Sequence, residues 1–434
     1  MTEETKKAVI SNRIYLKVGA LHLAAIRKEL TYKIEKKIPV KAGAKKPMEI
    51  IRDYKILAGN IISIPQGRLD LIPEGYTLTD KRVSVPYPFP TPVFPLREDQ
   101  LDIYNQVEDT CFINALVGWG KTFTALYLAY KLGQKTLIVT PTTILRDQWI
   151  TEVRKLFDME PGSIGSKTYN IEPTIVIGNV QSVSKHSLAL SKEFGTIILD
   201  EAHHVPATTF STIIDSSYAR YRIGLSGTMS RTDGKHILIR NYFGDTIFKP
   251  EKNNTVDPKV RIINSGIKLQ GDNWAAKVNN LLYDHDYQNY IAAISNSLVN
   301  KGHKVLIIAD RVEFLVNVKE ILGEKCMLVT GETSLEDRQT LSKRLETGEA
   351  TCIAGSRQIF SEGISVDILS AVVLAAPLSS ESLLEQIIGR IMRIHKDKPQ
   401  PEVIDINFSG FSDKKQNLAR LGLYIEKGWE ITSI

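Results

Sequence analysis

CFINALVGWGKTFTALYLAYKL, Cys111–Leu132, decides how the rest of this 434-residue chain is read. It opens as a short apolar run, turns through two glycines and continues as a stretch of helix formers. In a strand–loop–helix of this kind, loop N–H groups and the helix N-terminus cradle phosphate. Gly118, Trp119 and Gly120 form the loop. Lys121 is placed to reach the β and γ phosphates, and the Thr122 hydroxyl to ligate Mg²⁺. Ala115 stands where the general GxxxxGK[ST] pattern has its first glycine. A GKT in an arbitrary turn would mean little; the flanking strand and helix give it weight.

Outward from this stretch, apolar strands alternate with helical segments. CFINALV, KTLIVT, PTIVIGNV, GTIILD and RIGLSG form one series; KVLIIAD, CMLVTG, TCIAGS, SAVVLAAP and PEVIDI form a second. Short, β-branched, nearly continuous apolar runs suit parallel sheets buried on both faces. Two such series predict two tandem doubly wound α/β lobes. The polar, turn-rich region 246–275 reads as the connection between them.

Residues 14–90 read as a small α/β unit, with a helix over Leu21–Lys37 and strands in LAGNIISIP and RLDLIP. VPYPFPTPVFP holds five prolines between Pro86 and Pro95 and marks a boundary, because prolines at that density keep a chain extended. The expected division is residues 1–90, 91–250 and 251–434. Residues 1–95 hold 17 Lys and Arg against 9 Asp and Glu, a charge of +8 in a chain whose total is +6. Such an appendage suits a phosphate-backbone binder. A soluble domain with a lysine-rich helix face reads equally well, and Lys28, Lys33, Lys36 and Lys37 make the cluster in question.

No apolar run approaches the ~18–20 residues that span a bilayer. The polar start MTEETKKAVI lacks a secretory segment, so a soluble, cytoplasmic protein is expected. Cys111, Cys326 and Cys352 are scattered, without a CxxC pair, and read as buried reduced thiols.

The second chemical anchor is IILDEAHH. Its strand ends at Asp200, which puts two carboxylates at the C-terminal edge where α/β proteins bind ligands. Asp200 suits Mg²⁺ and Glu201 a general base acting on water. The alternative, a solvated acidic turn, weakens because the pair follows a phosphate loop by about 80 residues and sits at a strand end.

With these motifs in order, the chain resembles a superfamily 2 helicase over roughly residues 95–395, and the resemblance implies RecA-like lobes. LREDQ, Leu96–Gln100, resembles the motif upstream of the phosphate loop, with Arg97 and Gln100 at the nucleotide and Gln100 reading adenine. ALVGWGKT matches motif I, PTTILRDQW motif Ia, VQSV the TxQS type with Val180 in place of Thr, DEAH motif II and SGT motif III. GSRQIFSEGISV resembles motif V, with Gly363 at the nucleotide and Ser365 where Asp is common. QIIGRIMR matches motif VI, QxxGRxxR. The resemblance implies that Gln386, Arg390 and Arg393 act on the γ-phosphate from the second lobe, and that His203, Ser226 and Thr228 couple the nucleotide to motion. It also implies backbone contacts to nucleic acid by Thr142, Gln148, Gln181, Ser182, Thr330, Gly331, Ser356 and Arg357. Helix capping by Thr142 and a plain turn at Thr330–Gly331 remain alternatives.

SRTDGK, Ser230–Lys235, resembles the PxRxDGK stretch of XPB-like helicases and of compact phage branch-migration helicases of the UvsW type. The resemblance implies forked or branched duplex DNA as substrate, ATP and Mg²⁺ as cofactors, replication or recombination proteins as partners, a monomer, and host cytoplasm for a phage-encoded chain. An RNA helicase, the motor subunit of a restriction or repair complex, and an ATP-gated binding module without turnover are the alternatives. The intact set Lys121, Thr122, Asp200, Glu201, Gln386, Arg390 and Arg393 disfavours the last.

Overall fold

The computed structural model describes residues 6–35, 47–58, 61–116, 118–165, 167–204, 208–227, 235–250, 255–357, 366–378, 380–409 and 411–434. The chain divides into two units: residues 1–116 with 120–253, and residues 254–434 with Gly118 and Trp119.

In the first unit the apolar runs become an eight-stranded sheet. Its order is Thr168–Asn170, Gly162–Gly165, Ile175–Asn179, Thr136–Thr140, Thr196–Leu199, Tyr221–Ser226, Cys111–Asn114 and Ile247–Phe248. All neighbours are parallel except the first pair. Every residue of Thr136–Thr140 and Thr196–Leu199 is buried, as central parallel strands require. Leu137, Val139, Val176, Ile197 and Leu199 enter one apolar core with Phe210, Ile213 and Ile214.

Among the described residues, the second unit forms a seven-stranded, all-parallel sheet in the order Cys326–Val329, Cys352–Ser356, Val305–Ala309, Ala371–Leu374, Glu402–Asn407, Lys259–Asn264 and Glu430–Ser433. Val305, Ile307, Phe314, Val373 and Ile404 anchor its core. The three cysteines are buried free thiols. Among the described residues no helix is long and apolar enough to cross a membrane.

Three local expectations change. Residues 246–275 are not simply a connection: Ile247–Phe248 closes the first sheet and Lys259–Asn264 lies inside the second. The alternation in KVRIIN buries Val260 and Ile262 and exposes the chain's polar side, which is a strand pattern. The helix at Leu21–Lys37 spans Ala20–Glu29 and stops, because Thr31–Glu35, rich in strand formers, pairs antiparallel with Met48–Arg52. Lys28 is therefore exposed on a helix and Lys33 on a strand, while Lys36 and Lys37 lie outside the described residues. RLDLIP forms a 3₁₀ turn, Leu69–Leu71, with Arg68 bonded to Asp70.

The N-terminal segment forms a five-stranded sheet, Lys55–Leu57, Ile61–Ile64, Ile14–Lys17, Lys7–Ile10 and Thr77–Asp80, within the first unit. A buried polar network joins it to the lobe. Arg13 pairs with Asp53 at 3.1 Å and with Asp215 at 2.9 Å. Asn241 donates to Asp53 at 2.8 Å and accepts from Tyr32 at 2.9 Å. Gly67 donates to the Asn241 carbonyl, and a Cβ on Gly67 would sit 2.5 Å from the Arg240 oxygen, so only glycine allows this approach. The proline-rich stretch is strapped along the lobe: Tyr87 N–H to Gly133 O, Lys135 N–H to Val85 O, and Val93 N–H to Leu156 O.

Candidate active site

Three adjacent strands of the first lobe end at the same edge, and each launches a piece of the site. Cys111–Asn114 leads into the phosphate loop, Tyr221–Ser226 ends on Ser226, and Thr196–Leu199 leads into Asp200 and Glu201. Gly118 and Gly120 take φ values of 91° and 96°, where glycine is favoured. Gly120 then caps the helix Lys121–Leu132. A Cβ at Gly120 would lie 2.4 Å from Gln100 Nε2. Gln100 Nε2 donates to the Gly120 carbonyl at 3.3 Å and its Oε1 accepts from the Arg97 N–H at 3.0 Å. Arg97 and Gln100 are thus held at the loop by a helix start, while Arg97 pairs with Asp99 at 3.1 Å. Trp119 is fully buried.

Lys121 folds its ammonium back onto the loop, donating to Ala115 O at 2.7 Å and Leu116 O at 3.2 Å. An arriving phosphate would replace those carbonyls. Thr122 follows at the second helical position and is half-buried.

Asp200 is buried, and its carboxyl is pushed up to about 6 by that burial and by the neighbouring Glu201 charge. The Trp149 indole donates to Asp200 Oδ2 at 2.7 Å, the Glu201 N–H donates to Oδ1 at 2.9 Å, and Lys121 acts on it electrostatically. A hydroxyl and a desolvated carboxylate that lacks full compensation form a donor set suited to a hard divalent cation, which takes few protein ligands and keeps waters. The residues fit Mg²⁺.

Glu201 takes φ 47°, the left-handed region that a non-glycine residue rarely enters. Such strain at a strand end is characteristic of functional positions. Its Oε2 lies 3.2 Å from His203 Nδ1, and His203 Nδ1 lies 2.7 Å from Ser226 Oγ. His203 therefore joins the second and third motifs. Thr228 lies outside the described residues, as do most of SRTDGK and Gly363.

Of the expected strand contacts of the first lobe, Thr142, Gln181 and Ser182 lie at two helix starts and Gln148 lies in the second turn of Thr143–Phe157. Thr142 caps Thr143–Phe157, accepting from Leu145 N–H at 3.3 Å. Asn179 caps Val180–Lys185, accepting from Ser182 N–H at 2.9 Å, and donates to Thr143 Oγ1 at 3.2 Å. Gln181 is exposed; Gln148 and Ser182 are half-buried. In the second lobe Thr330–Gly331 form a turn, with Glu332 N–H bonded to Thr330 Oγ1 and Arg338 bonded to both carbonyls. Ser356 ends the strand Cys352–Ser356.

Gln386 and Arg390 stand four apart on one face of the helix Glu381–Ile391, whereas Arg393 lies past the C-cap Met392, in an antiparallel bridge with Thr255. Ile387, Ile388 and Ile391 are buried beside them. Arg390 is itself buried. Arg393 pairs with Asp367 at 2.6 Å, and Lys398 donates to the Arg393 carbonyl at 2.7 Å. Burial pulls the Lys398 ammonium down to about 8.

Sequence reasoning missed Trp149 and Asp367. Trp149 was present as the last residue of PTTILRDQW, two helical turns beyond the Thr142 cap and on the face turned to the sheet. Nothing local in the sequence announces Asp367.

Residues 94–231 match the family described as type III restriction enzyme, res subunit, and residues 288–395 match the helicase conserved C-terminal domain. The chain is 41% identical over 434 residues to the probable helicase D10 of Escherichia phage T5, covering 98% of this chain and 95% of that one. It is 26% identical over 386 residues to the DNA 3'-5' translocase XPB2 of Sulfurisphaera tokodaii, covering 78% and 87%. It is similar in structure to S. cerevisiae Dbp5 bound to RNA and ADP BeF3. There the TM-score is 0.57 and the identity 13%, over 78% of this chain and 89% of that one, a likeness of fold alone.

Proposed function

The chain belongs to the superfamily 2 helicases, and from that premise we propose that this ATP-dependent enzyme works on forked or branched DNA, migrating junctions or unwinding forks. The observation that carries the reading is the convergence of Lys121, the Asp200–Glu201 pair and the His203–Ser226 link at one sheet edge.

In this reading Arg97, Gln100, Gly118, Trp119, Gly120, Lys121 and Gly363 hold the nucleotide. Thr122 and Asp200 hold Mg²⁺, which neutralises phosphate charge when bound. Glu201 orients water and takes its proton. Arg390 and Arg393, with Gln386, stabilise the charge that develops on the transferred phosphoryl group. Thr142, Gln148, Gln181, Ser182, Thr330, Gly331 and Ser356 track a phosphodiester backbone, which positions the strand without reading sequence. The basic segment 1–90 grips duplex near the junction, ahead of lobes at 91–250 and 251–434.

Support for DNA comes from the SRTDGK stretch and from the DNA translocase relative. A relative 28% identical over 338 residues, the putative ATP-dependent RNA helicase L396 of Acanthamoeba polyphaga mimivirus, keeps an RNA substrate as the second reading. ATP hydrolysis measured with matched single strands, linear duplex, forks, four-way junctions and RNA separates them. Greatest stimulation by branched DNA is the expected result; stimulation by RNA alone would replace the reading, and no hydrolysis on any would revive a gated binding module.

A further inference from the structure

The loop Ala375–Leu378 launches the helix that carries Gln386 and Arg390, and three side chains from distant segments hold its carbonyls. Tyr287 donates its hydroxyl to Ala375 O at 2.8 Å. Arg357 donates Nη2 to Pro377 O at 3.1 Å. Arg420 donates Nη1 to Leu378 O at 3.1 Å.

Two of these anchors are fixed. Tyr287 is packed in the core against Phe314 and Phe408. Arg420 is clamped by Asp405, whose oxygens lie 3.0 and 2.9 Å from its Nε, and Tyr424 donates to the same carboxylate at 2.9 Å. The third anchor differs. Arg357 is only half-buried and directly follows Ser356 at the end of Cys352–Ser356, a position expected to meet the nucleic-acid backbone. Its guanidinium spans two loops, pairing through Nε with Asp310 at 2.9 Å while Nη2 reaches Pro377. A planar fork suits this double engagement; an ammonium on a flexible stem satisfies one partner at a time. Proline at 377 stiffens the loop, so a displaced carbonyl moves the chain that follows.

We propose that Arg357 is a positioning residue that ties the strand-contacting end of Cys352–Ser356 to the loop launching the arginine helix, so that bound nucleic acid sets the pose of Arg390 and Arg393. The role rests on the helicase reading above. It differs from a phosphate contact, the role that resemblance alone gives this arginine: the guanidinium is already committed to Asp310 and Pro377.

Arg357→Gln distinguishes the two. Strand affinity is read by fluorescence anisotropy over a salt series, and kcat and KM for ATP with and without saturating strand. The expected result is strand affinity and ATP KM within about threefold of wild type, an unchanged salt slope, and a loss of tenfold or more in the ratio of stimulated to unstimulated kcat. Arg357→Lys should recover part of that ratio. A lost phosphate contact would instead lower the salt slope by about 0.7–0.9 and be overcome at saturating strand. That outcome, an unchanged ratio, or a loss of affinity beyond tenfold overturns the proposal. If a thermal melt shows Arg357→Gln unfolded, Asp310→Asn, which removes the counter-charge and leaves the arginine, carries the same test with a smaller loss expected. Wild-type enzyme that no nucleic acid stimulates would sink the functional reading itself, which the parallel control reveals.

Discussion

Trp149 donates its indole N–H to Asp200 Oδ2 at 2.7 Å, so the helix whose first turn is expected to meet the nucleic acid also holds the carboxylate suited to Mg²⁺. Trp149→Phe keeps the buried ring and removes the donor. A hydrogen bond to a charged group contributes about 1.5–3 kcal/mol. Mg²⁺ half-saturation in a fluorescent-nucleotide titration should therefore rise by about tenfold or more. Unchanged metal dependence would leave Trp149 as packing only.

Burial beside Glu201 lifts the Asp200 carboxyl to about 6. The folded state then binds this proton more tightly than the unfolded chain, so the group's contribution to stability is complete below the unfolded value and is lost as pH rises through about 6. Metal-free Asp200→Asn should melt above wild type at pH 8, by no more than about 3 kcal/mol, and the gap should close toward pH 4. Melts in chelator at both pH values test this; an equal gap at both would show that Asp200 does not carry the shift.

Ser226 Oγ lies 2.7 Å from His203 Nδ1, which in turn approaches Glu201 Oε2 at 3.2 Å. Ser226→Ala cuts that link without touching the phosphate loop. Strand displacement per ATP hydrolysed should fall about tenfold, the order of one lost buried hydrogen bond, while turnover changes little. Equal losses in both assays would assign Ser226 to hydrolysis rather than coupling.

Gly120→Ala places a Cβ 2.4 Å from Gln100 Nε2 at φ 96°. The left-handed backbone alone costs about 1–2 kcal/mol. A lower melting temperature and weaker ATP binding are expected, and adding Gln100→Ala should relieve the clash but not the strain. Full recovery by the double variant would mean the backbone tolerates alanine.

Arg393→Ala should lower kcat by about 10³ or more while ATP affinity changes little, because an arginine finger acts on the transition state. Nucleotide affinity measured alongside turnover checks the split. An effect confined to affinity would remove the finger role.

Much of this was legible in the sequence because the signals were local. Parallel strands buried on both faces leave unbroken apolar runs such as KTLIVT, and the phosphate loop and the QIIGRIMR motif each declare themselves within a dozen residues. Lys259–Asn264 was hidden because polar turns flank it, although its alternation was present. The helical spacing over 21–37 runs on past the helix end at Glu29 into Thr31, Tyr32 and Ile34, whose β-branched and aromatic side chains favour the hairpin. The pairs that organise the site were not legible at all. Trp149 and Asp200 stand 51 positions apart, Arg357 and Pro377 stand 20 apart, and Arg13 and Asp215 stand 202 apart. Only the fold brings such partners together.

The Arg13 junction bears on how this protein can be altered. Its guanidinium, 3% exposed, is shared by Asp53 and Asp215, while Arg222, also buried, donates to the Asn12 and Ser217 carbonyls. Removing the segment before the proline strap would leave Asp215, 29% exposed, without Arg13, and would leave Arg222 with the Ser217 carbonyl alone. A shortened protein would therefore be destabilised at this junction, and a melt has to accompany any measurement of its grip. Exchange of the first 90 residues with a relative would preserve the junction only if positions 13, 53 and 215 matched, so the appendage and the motor behave as one part rather than as interchangeable modules.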